Sequence, residues 1–161
     1  MAEDEKSAPG LAPHCWADNW ANSHGGEPPL SVLLDMLRER IDPKSVSNKQ
    51  GISFVDVTTI RDEIDARIGG QRYDWDVTKT ECISGAPYYV VVGRLTIFGS
   101  DRAAVRSGGG AEGLWEHQPY QDGGKGSFKT KAYGDPFTNA EATALRRAAM
   151  AFGFCRELWR K

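Results

Sequence analysis

Hydrophobic residues at helical spacing predict two amphipathic helices in the first half of the chain. The first covers residues 30–41, with Ser31 as its N-cap, and its apolar stripe consists of Leu30, Leu33, Leu34, Leu37 and Ile41. The second covers about 57–68, where Asp56 precedes the stripe as an N-cap and Gly69 follows it as a stop. Both segments therefore place one apolar face toward a common core.

Alternating polar and apolar positions predict four strands. A short strand is expected at 51–55. Residues 73–83 alternate in part, with aromatic and apolar side chains on one face and aspartates on the other. Residues 88–98 are β-branched and aromatic throughout, so we expect a central strand that is buried on much of both faces and forms a hairpin with 73–83. A third sheet strand is expected at 126–133.

A final helix is predicted from about Ala140 to Phe152. Thr138 and Glu141 have the spacing of a capping box, and Gly153 is a C-cap. Its expected core stripe is thin, so the helix can lie close to a sheet; the stripe consists of Ala142, Leu145, Ala149 and Phe152.

The order of these elements predicts an α+β fold, in which helices pack against an antiparallel sheet. Residues 29–161 form the expected domain, interrupted by a long glycine-rich loop at about 99–126. Residues 1–28 have no apolar period and are expected to form a flexible N-terminal tail. Trp16 and Trp20 fit one face of a short helical turn, which we interpret as a local hydrophobic anchor.

Composition narrows the class of protein. The sequence contains no apolar run of 18 residues, so we expect no membrane-spanning helix. Its three cysteines are widely spaced and do not form the pattern of a disulfide framework. The acidic first residues resemble neither a secretory signal nor a transit peptide. We therefore expect a protein of a reducing compartment.

The charge is distributed unevenly along the chain. The net charge is −2, but residues 1–124 carry 12 basic and 19 acidic residues (net −7), whereas residues 125–161 carry 8 and 3 (net +5). This asymmetry favours a basic face for an anionic partner. The alternative is that folding mixes the two sets into a neutral surface.

Motifs for enzyme chemistry are missing from the sequence. It contains neither a Walker A loop nor the patterns GxGxxG, GxSxG and HExxH, so we expect neither catalysis nor a cofactor. One alternative stays open, a nuclease or metal enzyme that uses Asp74 and Asp76, or the three histidines, as ligands.

A basic constellation near the C-terminus predicts nucleic-acid binding instead. Three residues share one face of the expected strand at 126–133, two arginines lie on the following helix, and one lysine flanks them: Lys129, Lys131, Tyr133, Arg146, Arg147 and Lys125. Cations that follow phosphates, combined with an aromatic ring on which bases stack, are typical of sequence-neutral single-strand binding. The alternative is a set of ordinary surface charges.

The same helix resembles a known family. Residues 135–153, which contain the run Ala-Leu-Arg-Arg-Ala-Ala-Met-Ala-Phe-Gly, and residues 156–159 resemble the signature helix of the Rad-fifty-two superfamily of single-strand annealing proteins. The similarity is greatest to its bacterial DdrA-type, phage and mitochondrial genome maintenance members. Phe54 to Gly69, followed by Trp75, resembles the upstream strand and helix of that family. The resemblance covers about residues 30–159. It implies a protein of the bacterial cytoplasm, associated with the nucleoid, or a phage protein in its host, rather than a mitochondrial one.

The resemblance implies a β-β-β-α core that assembles side by side into a ring or filament. Single-stranded DNA would lie in a basic groove, with a recombinase or a single-strand binding protein as a further partner. By this resemblance Arg146 and Arg147 contact the phosphate backbone, and Lys44 and Phe54 belong to the same groove. Met150 stands where some members have another cation. The implied function is annealing of complementary strands in recombination and repair; the alternative is a self-assembling interaction module with Trp16 and Trp20 as its docking residues.

Overall fold

The fold is α+β, with helices packed on antiparallel sheets. A computed structural model describes residues 15–49, 52–83, 88–113, 115–118, 127–130 and 135–159. In these residues the helices are α1 (Trp16–His24), α2 (Leu30–Arg38), α3 (Val57–Ile68) and α4 (Pro136–Ala151). The strands are β1 (Ser47–Lys49), β2 (Ile52–Phe54), β3 (Tyr73–Ile83), β4 (Tyr88–Phe98), β5 (Ala103–Gly113), β6 (Trp115–Gln118) and β7 (Ser127–Thr130).

A three-stranded sheet with the order β3-β4-β5 forms the centre of the molecule. Its strands are antiparallel, with Trp75 opposite Leu95 and Val91 opposite Gly110, and a bulge between Val77 and Lys79 shifts the register of β3. The predicted bounds of β3 and β4 are confirmed. The expected burial of β4 on both faces is wrong, because α4 covers only one face and Tyr88 on the other is exposed.

The third strand of this sheet is β5, in the segment that was predicted to be a loop. The prediction failed because glycines were interpreted as turn residues, whereas here they let a helix approach the sheet. A Cβ atom at Gly108 would overlap the carbonyl oxygen of Ala144, and one at Gly110 would overlap that of Ala140. The backbones of β5 and α4 are therefore in direct contact.

The predicted third strand at 126–133 is also placed differently. Ser127–Thr130 forms β7, which pairs with β6 in a separate two-stranded sheet. Helix α4 itself starts earlier than predicted, with Asp135 as its N-cap. The predicted capping box does not form, because the Glu141 carboxylate accepts a hydrogen bond from Trp75 Nε1 at 3.0 Å instead.

The N-terminal helix α1 corrects the prediction of a flexible tail for residues 15–28, the part of that segment that the structure describes. Ala17 is fully buried, and Arg72 binds the carboxylates of Asp18 and Glu27 at 2.8 Å. The Trp16 ring lies over the guanidinium of Arg67 at 5.2 Å, whereas the Trp20 ring stacks on His24 of the same helix. Long-range ion pairs thus fix a segment whose own sequence has little apolar periodicity.

Helices α2 and α3 form close to their predicted positions, with one unexpected cap. Asp56 and Gly69 terminate α3 as predicted. At the start of α2 the predicted cap Ser31 is not used. Asp101, from the turn between β4 and β5, accepts the Leu30 amide hydrogen at 2.7 Å. This bond holds the pKa of the Asp101 carboxyl below its ordinary value.

Candidate nucleic-acid interface

Helix α4 directs its two adjacent arginines to opposite flanks. Arg146 is half-buried and donates from Nε to the carbonyl oxygen of Val55 at 3.2 Å. Arg147 is exposed and donates from Nη1 to the carbonyl oxygen of Gly109 at 2.6 Å. Successive residues lie 100° apart around a helix. The pair therefore spans the outer face of α4 instead of forming a single cluster.

The arginines of the described residues divide into two groups by their partners. Six have a carboxylate oxygen within 4 Å: Arg38, Arg61, Arg67, Arg72, Arg94 and Arg102. Five have no such partner among the described side chains: Arg40, Arg106, Arg146, Arg147 and Arg156. A guanidinium is always charged, so this second group carries positive charge without a described neutralising partner.

A groove opens on the Arg146 flank. Next to Arg146, a small pocket is lined by Val55, Met150 and Leu158. Leu158 also lines an open groove of about 520 Å³, whose other walls are Arg40, Ile41, Pro43, Val46, Asn48, Ser53 and Glu157. Its volume lies within the range of small-molecule sites, and its lining combines apolar side chains with one cation, Arg40, and one carboxylate, Glu157. Sequence analysis did not identify Arg40, because it follows the apolar stripe of α2 without a motif of its own.

Two residues carried over from the family resemblance lie beside this groove. Lys44 is exposed in the 3-10 turn Pro43–Ser45, directly after the groove residue Pro43. Phe54 is half-buried at the end of β2, directly after Ser53. The structure thus brings both residues to the flank of α4 that carries Arg146. The neighbouring Met150 supplies no cation to this flank, since a thioether has no positive charge.

Of the predicted strand-face cluster, only Lys129 lies within the described residues. Lys129 lies on β7, opposite Glu116 of β6, and therefore outside the central sheet. Lys125, Lys131 and Tyr133 lie outside the described residues. The prediction assumed that one continuous strand at 126–133 joins the central sheet, and β5 takes that place instead.

Cys155 is a free thiol close to the candidate interface. It lines the same small pocket, and burial raises the pKa of its thiol to about 12. The thiol is therefore protonated near neutral pH, and a protonated thiol is a poor nucleophile. Its place in the structure is that of a small core side chain.

The rival metal site gains no support from the described side chains. Asp74 and Asp76 share the exposed face of β3, as predicted, and Asp76 forms an ion pair with Arg94 at 3.2 Å. Within the described ranges, no group of three or more His, Cys, Asp or Glu residues is arranged to hold a metal ion. Nor is any helix in this part of the chain long and apolar enough to cross a membrane.

Comparison of the sequence with models of known protein families gives no match, and comparison with curated proteins gives none either. The candidate interface therefore rests on its own residues and on the resemblance of α4.

Proposed function

We propose that this protein binds single-stranded DNA across α4 and promotes the annealing of complementary strands in homologous recombination and repair. The observation that carries the proposal is the set of arginines without a described carboxylate partner. Arg146 and Arg147 lie on α4, Arg106 lies on β5, and Arg156 and Arg40 follow the ends of α4 and α2. Arginines without a carboxylate partner favour binding to a polyanion, because the phosphates supply the counter-charge. Binding also releases the counterions that are condensed on the nucleic acid.

The two flanks of α4 suit a single strand better than a duplex. Arg146 and Arg147 reach in different directions from consecutive positions, so a flexible backbone can follow both. The groove beside Arg146 adds apolar surface against which a base can pack. Annealing needs no bond to be broken by the protein. It needs two strands held extended with their bases accessible.

The family resemblance extends this proposal to the assembly. Side-by-side copies in a ring or filament would join the α4 surfaces into one continuous basic track. A long strand would then contact many copies at once, which raises its affinity through effective concentration. A recombinase or a single-strand binding protein is the further partner that such an activity requires.

The test is a comparison of two double variants by fluorescence anisotropy with a labelled single-stranded oligonucleotide. R146A/R147A is expected to weaken binding at least tenfold, about 1.4 kcal/mol. The magnitude of its salt slope should fall by about 1.4, since each lost phosphate contact removes about 0.7. R61A/R94A removes the same formal charge from two carboxylate-paired arginines and serves as the matched control.

Equal losses in both double variants would mean that net charge, not this site, governs binding. Unchanged affinity of R146A/R147A with a normal circular dichroism spectrum would contradict the proposal. The binding step uses duplex DNA of equal length as the competitor. If the natural protein binds the single strand, an annealing assay with two complementary labelled strands follows.

A second candidate function is a self-assembling module that recruits another repair or phage protein. The observation that favours it is apolar exposure on the open face of the central sheet, where Tyr88, Phe98 and Val105 are each 43% exposed or more. The Trp16 ring, 44% exposed, adds a further apolar contact. Failure of the natural protein to bind single-stranded DNA at low salt would favour this function.

A further inference from the structure

The outer edge of β5 carries two arginines that are held in the same way. β5 is an outer strand of the central sheet. Arg106 donates from Nη1 to the carbonyl oxygen of Val105 at 2.8 Å, and Arg147 donates to that of Gly109 at 2.6 Å. An even residue separation places both carbonyls on the same side of the strand. The two guanidinium groups are thus fixed to one edge.

The distance between the two carbonyl attachment points is set by the strand. Four residues of β-strand span about 13 Å, since each residue rises about 3.3 Å. Contact with Phe152, whose ring lies 5.4 Å from the Arg106 guanidinium carbon, further restrains Arg106. A planar cation resting on an aromatic ring loses less conformational freedom when it binds a ligand.

Each of these two guanidinium groups has N–H donors that no described acceptor uses. An arginine side chain carries five N–H donors. Among the described residues, Arg106 and Arg147 each use one nitrogen on one backbone carbonyl, and neither has a carboxylate oxygen within 4 Å. Both side chains are exposed, so their remaining donors are accessible at this edge. Phosphate oxygens are the acceptors that match such a pair.

We propose that the β5 edge is a second contact line for the phosphodiester backbone, with Arg106 as its outer cation. A bound strand would cross α4 from Arg146 to Arg147 and then run along β5 to Arg106. This inference rests on the proposed function and adds a path to it. The competing path stays on the Arg146 flank, past Arg40 and Lys44, and never reaches β5.

The experiment uses the full chain and a fluorescein-labelled oligothymidylate at several salt concentrations. R106A is expected to raise the Kd severalfold and to lower the magnitude of the salt slope by about 0.7, the value for one phosphate contact. R106K should largely keep the slope, because it keeps the charge. R102A is the matched control, since Arg102 is a nearby exposed arginine that is paired with Asp101.

The outcomes separate this inference from the function on which it rests. If R106A binds like the natural protein while R146A/R147A fails to bind, the β5 path is wrong and the function stands. If R106A and R106K lose affinity and thermal stability equally, Arg106 supports Phe152 and is no phosphate ligand, which overturns the inference. If the natural protein does not bind at low salt, both proposals fail.

Discussion

At the residue scale, the buried Arg67 has the most extensive hydrogen-bonding role in the core. It is 1% exposed, yet it pairs with Glu63 at 2.9 Å and lies between the rings of Trp16 and Phe154. Its guanidinium also donates to four backbone carbonyls at the C-terminal end of α2, those of Met36, Leu37, Glu39 and Arg40. One side chain thereby satisfies carbonyls that a helix end leaves without partners.

Replacing Arg67 is expected to destabilise the protein strongly. R67A leaves the α2 carbonyls and Glu63 without their partner, and loss of a buried ion pair costs roughly 3–5 kcal/mol. R61A, on the same helix, removes an exposed ion pair and should cost no more than about 1 kcal/mol. Urea denaturation followed by circular dichroism measures both. A cost for R67A as small as that for R61A would show that the carbonyl cluster is solvated without it.

At the element scale, the sequence predicts those structures that local pattern determines. The bounds of α3, β3 and β4 follow from periodicity, and the two caps of α3 follow from Asp56 and Gly69. The strand β5 could not be predicted in this way, since Gly108 and Gly110 are unfavourable in a strand. Their small size is required only because α4 packs there. The N-terminal cap of α2 could not be predicted from local sequence either, because it comes from Asp101, which is distant in sequence.

The contact between β5 and α4 predicts which glycine of β5 can accept the single methyl group of an alanine. In G110A the new Cβ meets the backbone carbonyl of Ala140, which no side-chain rotation can relieve, so a loss of about 1–3 kcal/mol is expected. G109A is the matched control, since nothing lies within 4 Å of a Cβ there. It should be neutral or slightly stabilising. Thermal melts of both variants test this, and equal melting temperatures would contradict the close approach.

At the whole-molecule scale, ion pairs attach the N-terminal helix to the rest of the fold. Arg72 is buried and holds Asp18 and Glu27, so α1 belongs to the folded unit that was expected to cover 29–161. The candidate interface is similarly distributed. The exposure of Arg147 follows from its helical position relative to Leu145, which the sequence provides. Arg106 could not be predicted, because it joins the interface only through the pairing of β5.

The attachment of α1 predicts that the protein loses stability as the pH falls into the acid range. Hydrogen bonding to Arg72 holds the pKa of the Asp18 carboxyl below its ordinary value of 3.8. A carboxyl whose pKa is lower in the folded state stabilises the protein above its ordinary pKa. This contribution is lost as the pH falls below 3.8 through the folded-state value. D18N should therefore show a shallower loss of stability in this range than the natural protein.

Urea denaturation at several pH values between neutral and strongly acidic measures this difference. D62N is the control, because Asp62 is an exposed carboxylate on α3. If D18N and the natural protein lose stability in parallel below pH 4, the ion pair with Arg72 does not contribute to the attachment of α1.

Hydrogen bonds between residues far apart in sequence join the end of α2 to the segment that follows α4. The Arg38 side chain donates to the carbonyl of Phe152, 114 residues away, and the Ile41 amide donates to Glu157, 116 residues away. Contacts of such sequence separation must wait for most of the polypeptide to be present. During synthesis, α2 and α3 therefore emerge from the ribosome long before α4 can cover them. The nascent chain then displays their apolar stripes, which makes it a natural client for chaperones until α4 can pack against them.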